Sequence, residues 1–122
     1  MKKKILLICA NYYPKISNNL KKGALNILKN ESVDIIDVPG VFEIPLIISR
    51  YINKYNGIVA LGCVIKGKTN HFELITNSVT NSIMMLSIKY KKPISNGIVS
   101  CFNLSQANNR SKLYSGKNKG KE

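Results

Sequence analysis

The sequence predicts an α/β protein, a three-layer αβα sandwich around a four-stranded parallel sheet with the flavodoxin-like order 2-1-3-4. Short continuous apolar runs alternate with segments of helical periodicity, and runs that are apolar on both faces are typical of parallel strands covered by helices. The 122 residues are sufficient for one compact domain, which we place over residues 1–122. Right-handed crossovers would bring the carboxyl ends of the strands to one edge, where such sheets bind ligands.

The first half of the chain contains two strand–helix units. A strand is predicted over residues 4–9, followed by a helix that begins with Ser17 as its N-cap. The apolar residues of this helix recur at a spacing that puts them on one face, and they are Leu20, Ala24, Ile27 and Leu28. A second strand is predicted over residues 33–38, and a second helix over residues 44–55 tolerates Pro45 in its first turn.

The second half repeats the alternation. We predict a strand over residues 57–63, a long helix over residues 71–90 that Pro93 terminates, and a strand over residues 94–101. A short helix is predicted over residues 105–112. The tail over residues 111–122 is basic, contains glycine and lacks apolar periodicity, so we expect it to be mobile.

The formal net charge of +13 raises the question of a nucleic-acid partner. The lysines are spread along the chain without an aromatic-basic pattern, and the joint abundance of Asn, Ile and Lys is typical of A+T-rich coding sequence. We therefore expect no specific nucleic-acid surface. We also expect no membrane contact, because no apolar run is long enough for a signal-peptide core or a bilayer span. These features predict a cytoplasmic protein.

The three cysteines, Cys9, Cys63 and Cys101, stand far apart in the sequence and lack paired metal-ligand spacing. Each falls near the end of an apolar run, which favours small buried or half-buried hydrophobic residues over metal ligands. We expect no metal site.

Two turns that join an apolar strand to a helix hold the candidate functional residues. The second turn holds His71, the only histidine, after Gly67, Lys68 and Thr69, whose backbone N–H groups would lie at a helix N-terminus. Such a terminus favours a phosphate or another oxyanion, and a histidine beside it can carry protons near neutral pH. Two alternatives remain open: a solvent-facing His71, and a Thr69 that only caps the helix.

Further residues fit a small-molecule site at the same edge. Arg110, the only arginine besides Arg50, offers a planar fork for phosphate, although a solvated helix residue explains it equally well. Glu43, one of six acidic residues, either accepts hydrogen bonds from substrate hydroxyls or only complements a helix dipole. Tyr12 and Phe42 would flank a flat heterocycle, with packing against a neighbouring element as the alternative.

Taken in order, these segments resemble the 6,7-dimethyl-8-ribityllumazine synthase family of riboflavin biosynthesis. The resemblance is collinear over about residues 4–120 and depends most on residues 38–45 (VPGVFEIP) and 60–73 (ALGCVIKGKTNHFE). Shorter matches support it, and they are residues 23–25 (GAL), 97–99 (GIV), 106–107 (QA) with Arg110, and 118–120 (NKG).

The resemblance implies a transferase that condenses 5-amino-6-ribitylaminouracil with 3,4-dihydroxy-2-butanone 4-phosphate to 6,7-dimethyl-8-ribityllumazine, releasing phosphate and water. It implies neither a metal nor an organic cofactor. In the family each active site lies between adjacent subunits of a pentamer, with the fourth-strand region and the arginine supplied by the neighbour. The resemblance therefore implies a homopentamer. The start of the chain at its first core strand favours a free pentamer over a larger shell.

For the pyrimidine substrate, the resemblance implies binding residues in three places. An aromatic residue, usually phenylalanine in the family, would stack on the pyrimidine ring. A turn would line the ribityl chain and present a carboxylate to its hydroxyl groups. The end of the third strand would offer backbone and apolar surface to the ring. In this chain these positions are Tyr12 for the stack, Val41, Phe42 and Glu43 for the ribityl chain, and Val64 and Ile65 for the ring.

For the phosphorylated substrate, the resemblance implies that backbone groups of Lys68 and Thr69 hold the phosphate together with Arg110. His71 would shuttle protons as the imine forms and phosphate leaves. Lys119, aligned by allowing one inserted residue, corresponds to a lysine near the substrate.

Three departures from the family pattern support an alternative, a degenerate pentameric scaffold or a lumazine- or flavin-binding subunit without turnover. Asn96 stands where the family generally has an aromatic residue that covers the heterocycle from the neighbouring subunit, so it is a substrate-binding position with altered chemistry. Residues 100–103 (SCFN) replace a Thr-Thr-acid stretch. The sequence stops at Glu122, where relatives continue into a further helix, so we expect a C-terminally shortened member.

Overall fold

The structure is a computed structural model that describes residues 3–65 and 71–101, with residues 71–73, 99 and 101 described by backbone alone. In chain order the elements are β1 (Lys4–Ala10), α1 (Pro14–Ile27), β2 (Ser32–Val38), α2 (Ile44–Tyr51), β3 (Gly57–Ile65), α3 (His71–Tyr90) and β4 (Ile94–Cys101). Two short 3-10 turns, Val41–Glu43 and Ile52–Lys54, flank α2. The helix predicted over residues 105–112 and the basic tail lie outside the described residues.

The four strands form one parallel sheet in the order β2-β1-β3-β4, which confirms the predicted flavodoxin-like order. Ala10, the last residue of β1, pairs with Val38, the last residue of β2. The register of β1 against β3 pairs Cys9 with Leu61, so β3 continues for its last three residues beyond the level at which β1 ends. At ~3.3 Å per residue this projection is about 10 Å long, and it forms one wall of a cleft at this edge of the sheet.

Alternating residues of β1 point to opposite faces of the sheet and build two separate cores. On one face Leu7 and Cys9 pack with the buried side of α1. On the other face Leu6, Ile8 and Ala10 pack with residues of α2 and α3, among them Ile44, Ile48, Val79 and Ile83. Helices therefore cover both faces of the sheet, as the three-layer prediction requires.

The prediction that Ser17 is the N-cap of α1 is wrong. Helix α1 begins at Pro14, whose fixed φ suits the first helical position, and Tyr13 is the N-cap residue without a side-chain cap. Ser17 lies inside the helix and is fully buried, and its hydroxyl donates a hydrogen bond to the backbone oxygen of Ala10. The serine thus ties α1 to the end of β1 because that carbonyl lies at the carboxyl end of the strand.

Other predicted boundaries also shift, and β1 and β2 are each one residue longer than predicted. Helix α2 ends at Tyr51 and tightens into the 3-10 turn Ile52–Lys54, whereas β3 runs two residues past the predicted end. Ile27 lies in the last turn of α1 and is 59% exposed, because burial on that helix face ends one turn earlier, at Ala24.

The long helix α3 and the strand β4 have the bounds that the sequence predicts. Val79 and Ile83 of α3 are buried against the sheet, one helical turn apart. Within the described ranges, none of the helices combines the length and the hydrophobicity that crossing a membrane would require.

Candidate functional site

A cleft of about 460 Å³ lies at the carboxyl edge of the sheet, where parallel α/β sheets bind ligands. Its volume falls in the range of small-molecule sites. The lining residues come from the turns after β1 and β2, from the end of β3 and from the first turns of α3, and they are Tyr12, Tyr13, Pro39, Gly40, Val41, Phe42, Glu43, Cys63, Val64, Ile65 and Ile75. Six of the twelve predicted site residues, namely Tyr12, Val41, Phe42, Glu43, Val64 and Ile65, therefore line one cleft.

The turn after β2 packs closely on β3, where the side chain of Val41 contacts the backbone at Gly62. Val41 is buried, and a Cβ atom added to Gly62 would lie only 2.6 Å from its Cγ1 atom. The absence of a side chain at Gly62 therefore lets the 3-10 turn Val41–Glu43 pack directly onto the strand. The N–H of Glu43 donates to the oxygen of Gly40 at 3.3 Å and closes this turn.

Two aromatic side chains of the cleft remain open to solvent. Tyr12 is 71% exposed and Phe42 is 65% exposed, although both line the cleft. Single exposed aromatic residues are common, but two in one small cleft offer ring faces on which a flat heterocycle can stack. Within the described residues most of the Phe42 side chain remains accessible to a ligand or to another element.

Glu43 sits at the junction of the 3-10 turn and α2, as the sequence predicts. It is the N-cap residue of α2, and its carboxylate makes no capping hydrogen bond to the helix. One carboxylate oxygen, Oε2, folds back beside Gly40, since a Cβ atom added there would lie 3.2 Å from it. Because Gly40 and Glu43 both line the cleft, this exposed carboxylate can accept hydrogen bonds from ligand hydroxyl groups.

The wall formed by β3 is largely apolar. Cys63 and Val64 are buried and Ile65 is half-buried. The interpretation of the cysteines as small buried residues is confirmed for Cys9 and Cys63, whereas the Cys101 side chain lies outside the described residues. No three His, Cys, Asp or Glu side chains in the described part of the chain are grouped so that they could hold a metal ion.

Helix α3 begins at His71, and Ile75, one helical turn further on, lines the cleft. The N-terminal turn of α3 therefore lies at the cleft, where its dipole favours an anion. The His71 side chain and all of Lys68, Thr69, Arg110 and Lys119 lie outside the described residues.

Asn96 lies apart from the cleft of its own chain. It lies on the edge strand β4, where it pairs with Ala60 in the middle of the neighbouring strand β3, and it is exposed. The Oδ1 atom of Asn96 accepts a hydrogen bond of 3.0 Å from the N–H of Ile98. In this chain the residue therefore satisfies a backbone donor of an edge strand.

Sequence reasoning did not select Tyr13, Cys63 and Ile75 as cleft residues, although each follows a simple signal. Tyr13 is adjacent to Tyr12, and Cys63 precedes Val64 in the same strand. Ile75 lies four residues after His71, a spacing that puts both on one side of a helix. The turn residues Pro39 and Gly40 line the cleft together with the three residues that follow them.

Comparison with known proteins adds a finding that covers nearly the whole chain. Residues 2–122 match the family model described as 6,7-dimethyl-8-ribityllumazine synthase. The chain is similar to three proteins named 6,7-dimethyl-8-ribityllumazine synthase. It is 44% identical to that of Bartonella tribocorum over 127 residues, which cover 98% of this chain and 83% of the relative. It is 42% identical to that of Wigglesworthia glossinidia brevipalpis (98% of this chain and 82% of the relative) and 40% identical to that of Leuconostoc mesenteroides (98% of this chain and 81% of the relative).

Proposed function

Because this chain belongs to the 6,7-dimethyl-8-ribityllumazine synthase family, we propose that it condenses 5-amino-6-ribitylaminouracil with 3,4-dihydroxy-2-butanone 4-phosphate. The amine and the ketone join through an imine, and the overall reaction releases water and phosphate. The observation that carries this proposal is the cleft at the carboxyl edge of the sheet, because its walls combine exposed aromatic rings, one carboxylate and an apolar strand end.

The pyrimidine fits the part of the cleft between Tyr12 and the end of β3. The exposed ring of Tyr12 offers a stacking face, and Val64 and Ile65 offer apolar surface on the wall formed by β3. Such an arrangement suits a flat polar heterocycle, whose edges can bond to backbone groups while its faces contact side chains.

The ribityl chain fits the turn Val41–Glu43. Its hydroxyl groups are hydrogen-bond donors, and the Glu43 carboxylate beside Gly40 is an acceptor that makes no capping bond to α2. The hydrogen bonds would be charge-assisted and therefore stronger than bonds between neutral groups.

The phosphate end of the second substrate fits the N-terminus of α3. In this proposal the backbone groups of Lys68 and Thr69, which precede this helix in the sequence, would hold the phosphate. Arg110 of a neighbouring subunit would add a guanidinium, and Lys119 would contribute a charge near the substrates. His71 at the start of α3 moves protons as the imine forms and phosphate leaves. Holding the reactants together can supply ~7–11 kcal/mol of the barrier reduction, and proton transfer by His71 contributes about 10²- to 10⁴-fold.

The active form we propose is a homopentamer with sites between subunits, which would place Asn96 of one subunit at the cleft of the next. Exposed apolar side chains support assembly. Leu74, Met85 and Ile88 lie on one face of α3 and are all exposed, and Met84 is exposed beside them. Exposed apolar patches of this kind mark interfaces between proteins. We also place the protein in the cytoplasm, where thiols such as those of the buried Cys9 and Cys63 stay reduced.

The decisive experiment incubates the purified chain with both substrates and follows the fluorescence of the lumazine product, with sedimentation velocity on the same sample. We expect product formation and a particle of pentamer mass. Binding of lumazine without product formation would refute the enzyme and leave the scaffold or flavin-binding subunit. A monomer that turns over would refute the intersubunit site.

Two variants test the roles at the phosphate end. Arg110→Ala should raise the KM for the phosphorylated ketone and leave the KM for the pyrimidine unchanged, whereas His71→Ala should lower kcat by about 10²- to 10⁴-fold. If the two groups come from adjacent subunits, mixed pentamers of the two variants should regain roughly a quarter of the intact sites. An unchanged KM in Arg110→Ala would refute the assignment of the phosphate site.

A further inference from the structure

The turn between β1 and α1 carries two consecutive tyrosines that line the cleft but differ in burial. Tyr12 is largely exposed, whereas Tyr13 is half-buried and packs against the core cluster between α1 and the sheet. The ring centroids lie 4.9 Å apart and the ring planes are inclined at 73°, which is the edge-to-face arrangement that aromatic pairs prefer. An exposed ring thus rests against an anchored one.

The backbone of this turn is fixed at both ends. The N–H of Asn11 donates to the oxygen of Val38 at 2.8 Å, and the N–H of Ser17 donates to the oxygen of Tyr13 at 2.9 Å. Pro14 restricts the backbone further at the first position of α1. Because the backbone is held, the remaining freedom of Tyr12 is rotation of its side chain, and Tyr13 supplies the ring contact in the described residues that opposes this rotation.

The anchored ring is also uncharged at neutral pH. Burial, followed by the influence of Tyr12 and Cys63, raises the pKa of the Tyr13 hydroxyl above its ordinary value. The Tyr13 ring therefore presents a neutral aromatic edge or face to Tyr12 at neutral pH.

We propose that Tyr13 is a positioning residue that holds the ring of Tyr12 in the orientation that stacks on the pyrimidine substrate. This inference rests on the proposed function, and it assigns a role to a residue that touches the substrate's stacking partner rather than the reacting atoms. A ring that is already oriented loses less side-chain freedom when substrate binds. On the scale of one aromatic pair, the loss of Tyr13 should weaken pyrimidine binding by about 2- to 12-fold.

The first test compares Tyr13→Leu, which keeps apolar bulk but removes the ring, with the matched control Tyr13→Phe, which keeps the ring. We expect Tyr13→Leu to raise the KM for 5-amino-6-ribitylaminouracil and the Kd for the lumazine product by about 2- to 12-fold, with the KM for the phosphorylated ketone unchanged. Tyr13→Phe should match the unmodified enzyme. Equal rises in both KM values, or none, would overturn the proposal.

A double-mutant cycle with Tyr12→Leu separates positioning from a direct contact. If Tyr13 acts through Tyr12, the double variant should bind pyrimidine no more weakly than Tyr12→Leu alone. Multiplied effects of the two substitutions would overturn the proposal. If Tyr13→Leu fails to fold, Tyr13→Met provides the same comparison with a more adaptable apolar side chain.

A second measurement does not depend on turnover. The sequence contains no tryptophan, so Tyr12→Trp introduces a unique tryptophan at the cleft, whose fluorescence reports on this position. Its local rotation, measured by time-resolved anisotropy, should become faster when Tyr13→Leu is added and stay unchanged when Tyr13→Phe is added. An unchanged rotation with Leu would overturn the proposal. Absence of lumazine formation by the unmodified enzyme would instead refute the proposed function, and the anisotropy would still decide whether Tyr13 holds its neighbour.

Discussion

The contact between Gly62 and Val41 permits a quantitative test of how the cleft is built. In Gly62→Ala the new Cβ atom would lie 2.6 Å from Val41 Cγ1 and 3.1 Å from Ala10 Cβ, and both neighbours are buried. None of the glycines in the described residues has a positive φ, so the substitution changes packing without straining the backbone.

The expected loss combines two opposing contributions. Inserting a methyl group into a packed site costs ~1–3 kcal/mol. Replacing glycine by alanine also restricts the unfolded chain and returns ~0.4–1 kcal/mol. The free energy of unfolding of Gly62→Ala should therefore fall by about 1.3 kcal/mol at the middle of these two ranges, and by at most ~2.6 kcal/mol. Urea denaturation followed by circular dichroism measures this difference, at equal protein concentration because assembly contributes to stability.

Two comparisons decide whether the contact is the cause. Gly40→Ala places its Cβ atom 3.2 Å from the exposed carboxylate of Glu43, which can move aside, so its free energy of unfolding should change by less than ~0.5 kcal/mol. Combining Gly62→Ala with Val41→Ala removes the clashing methyl group, so the two losses should couple favourably by ~0.5–3 kcal/mol. Strictly additive losses, or equal losses in the two glycine variants, would refute the reasoning.

Three further outcomes are expected. Burial raises the pKa of the Cys9 thiol from 9.0 to about 11, although the charge of Lys21 opposes this rise. As the pH rises, the thiol therefore ionises in the unfolded chain before it does so in the folded protein. The folded protein should lose ~2–3 kcal/mol of stability, which is fully present below pH 9, as the pH rises to about 11. Cys9→Ala should therefore show a shallower fall in unfolding free energy over that range, and identical pH profiles would contradict this. Ser17→Ala should lower the free energy of unfolding by ~1–3 kcal/mol, because the carbonyl of Ala10 at the end of β1 loses a buried donor. The control is Ser49→Ala, because the exposed Ser49 hydroxyl donates only within α2. Its free energy of unfolding should change by less than ~0.5 kcal/mol in the same denaturation assay. The partly exposed Lys21–Asp37 ion pair at 2.9 Å should contribute at most ~1 kcal/mol in a double-mutant cycle, and a coupling that persists in about 1 M salt would contradict its surface character.

The sequence alone determined the layered architecture, because local patterns carry that information. The alternation of apolar runs with helical periodicity depends on residues that are neighbours in the chain, and it predicted a parallel sheet covered by helices, which the four parallel strands confirm. The bounds of α3 agreed because Pro93 follows the helix and ends its pattern. The two turns after β2 and β3 also pointed to the correct edge of the sheet, since parallel strands collect their carboxyl ends there.

Only the tertiary structure decided which side chains share the cleft and what each one contacts. The sequence predicted Ser17 as an N-cap because serine often precedes the first turn of a helix. In the structure Ser17 lies inside α1, and its hydroxyl donates a hydrogen bond to the carbonyl of Ala10 at the end of β1. Tyr13 gains its role from the core beneath it and the ring beside it. Such contacts join elements that are distant in sequence, so they depend on the relative placement of β1, β2 and β3, which no local pattern encodes.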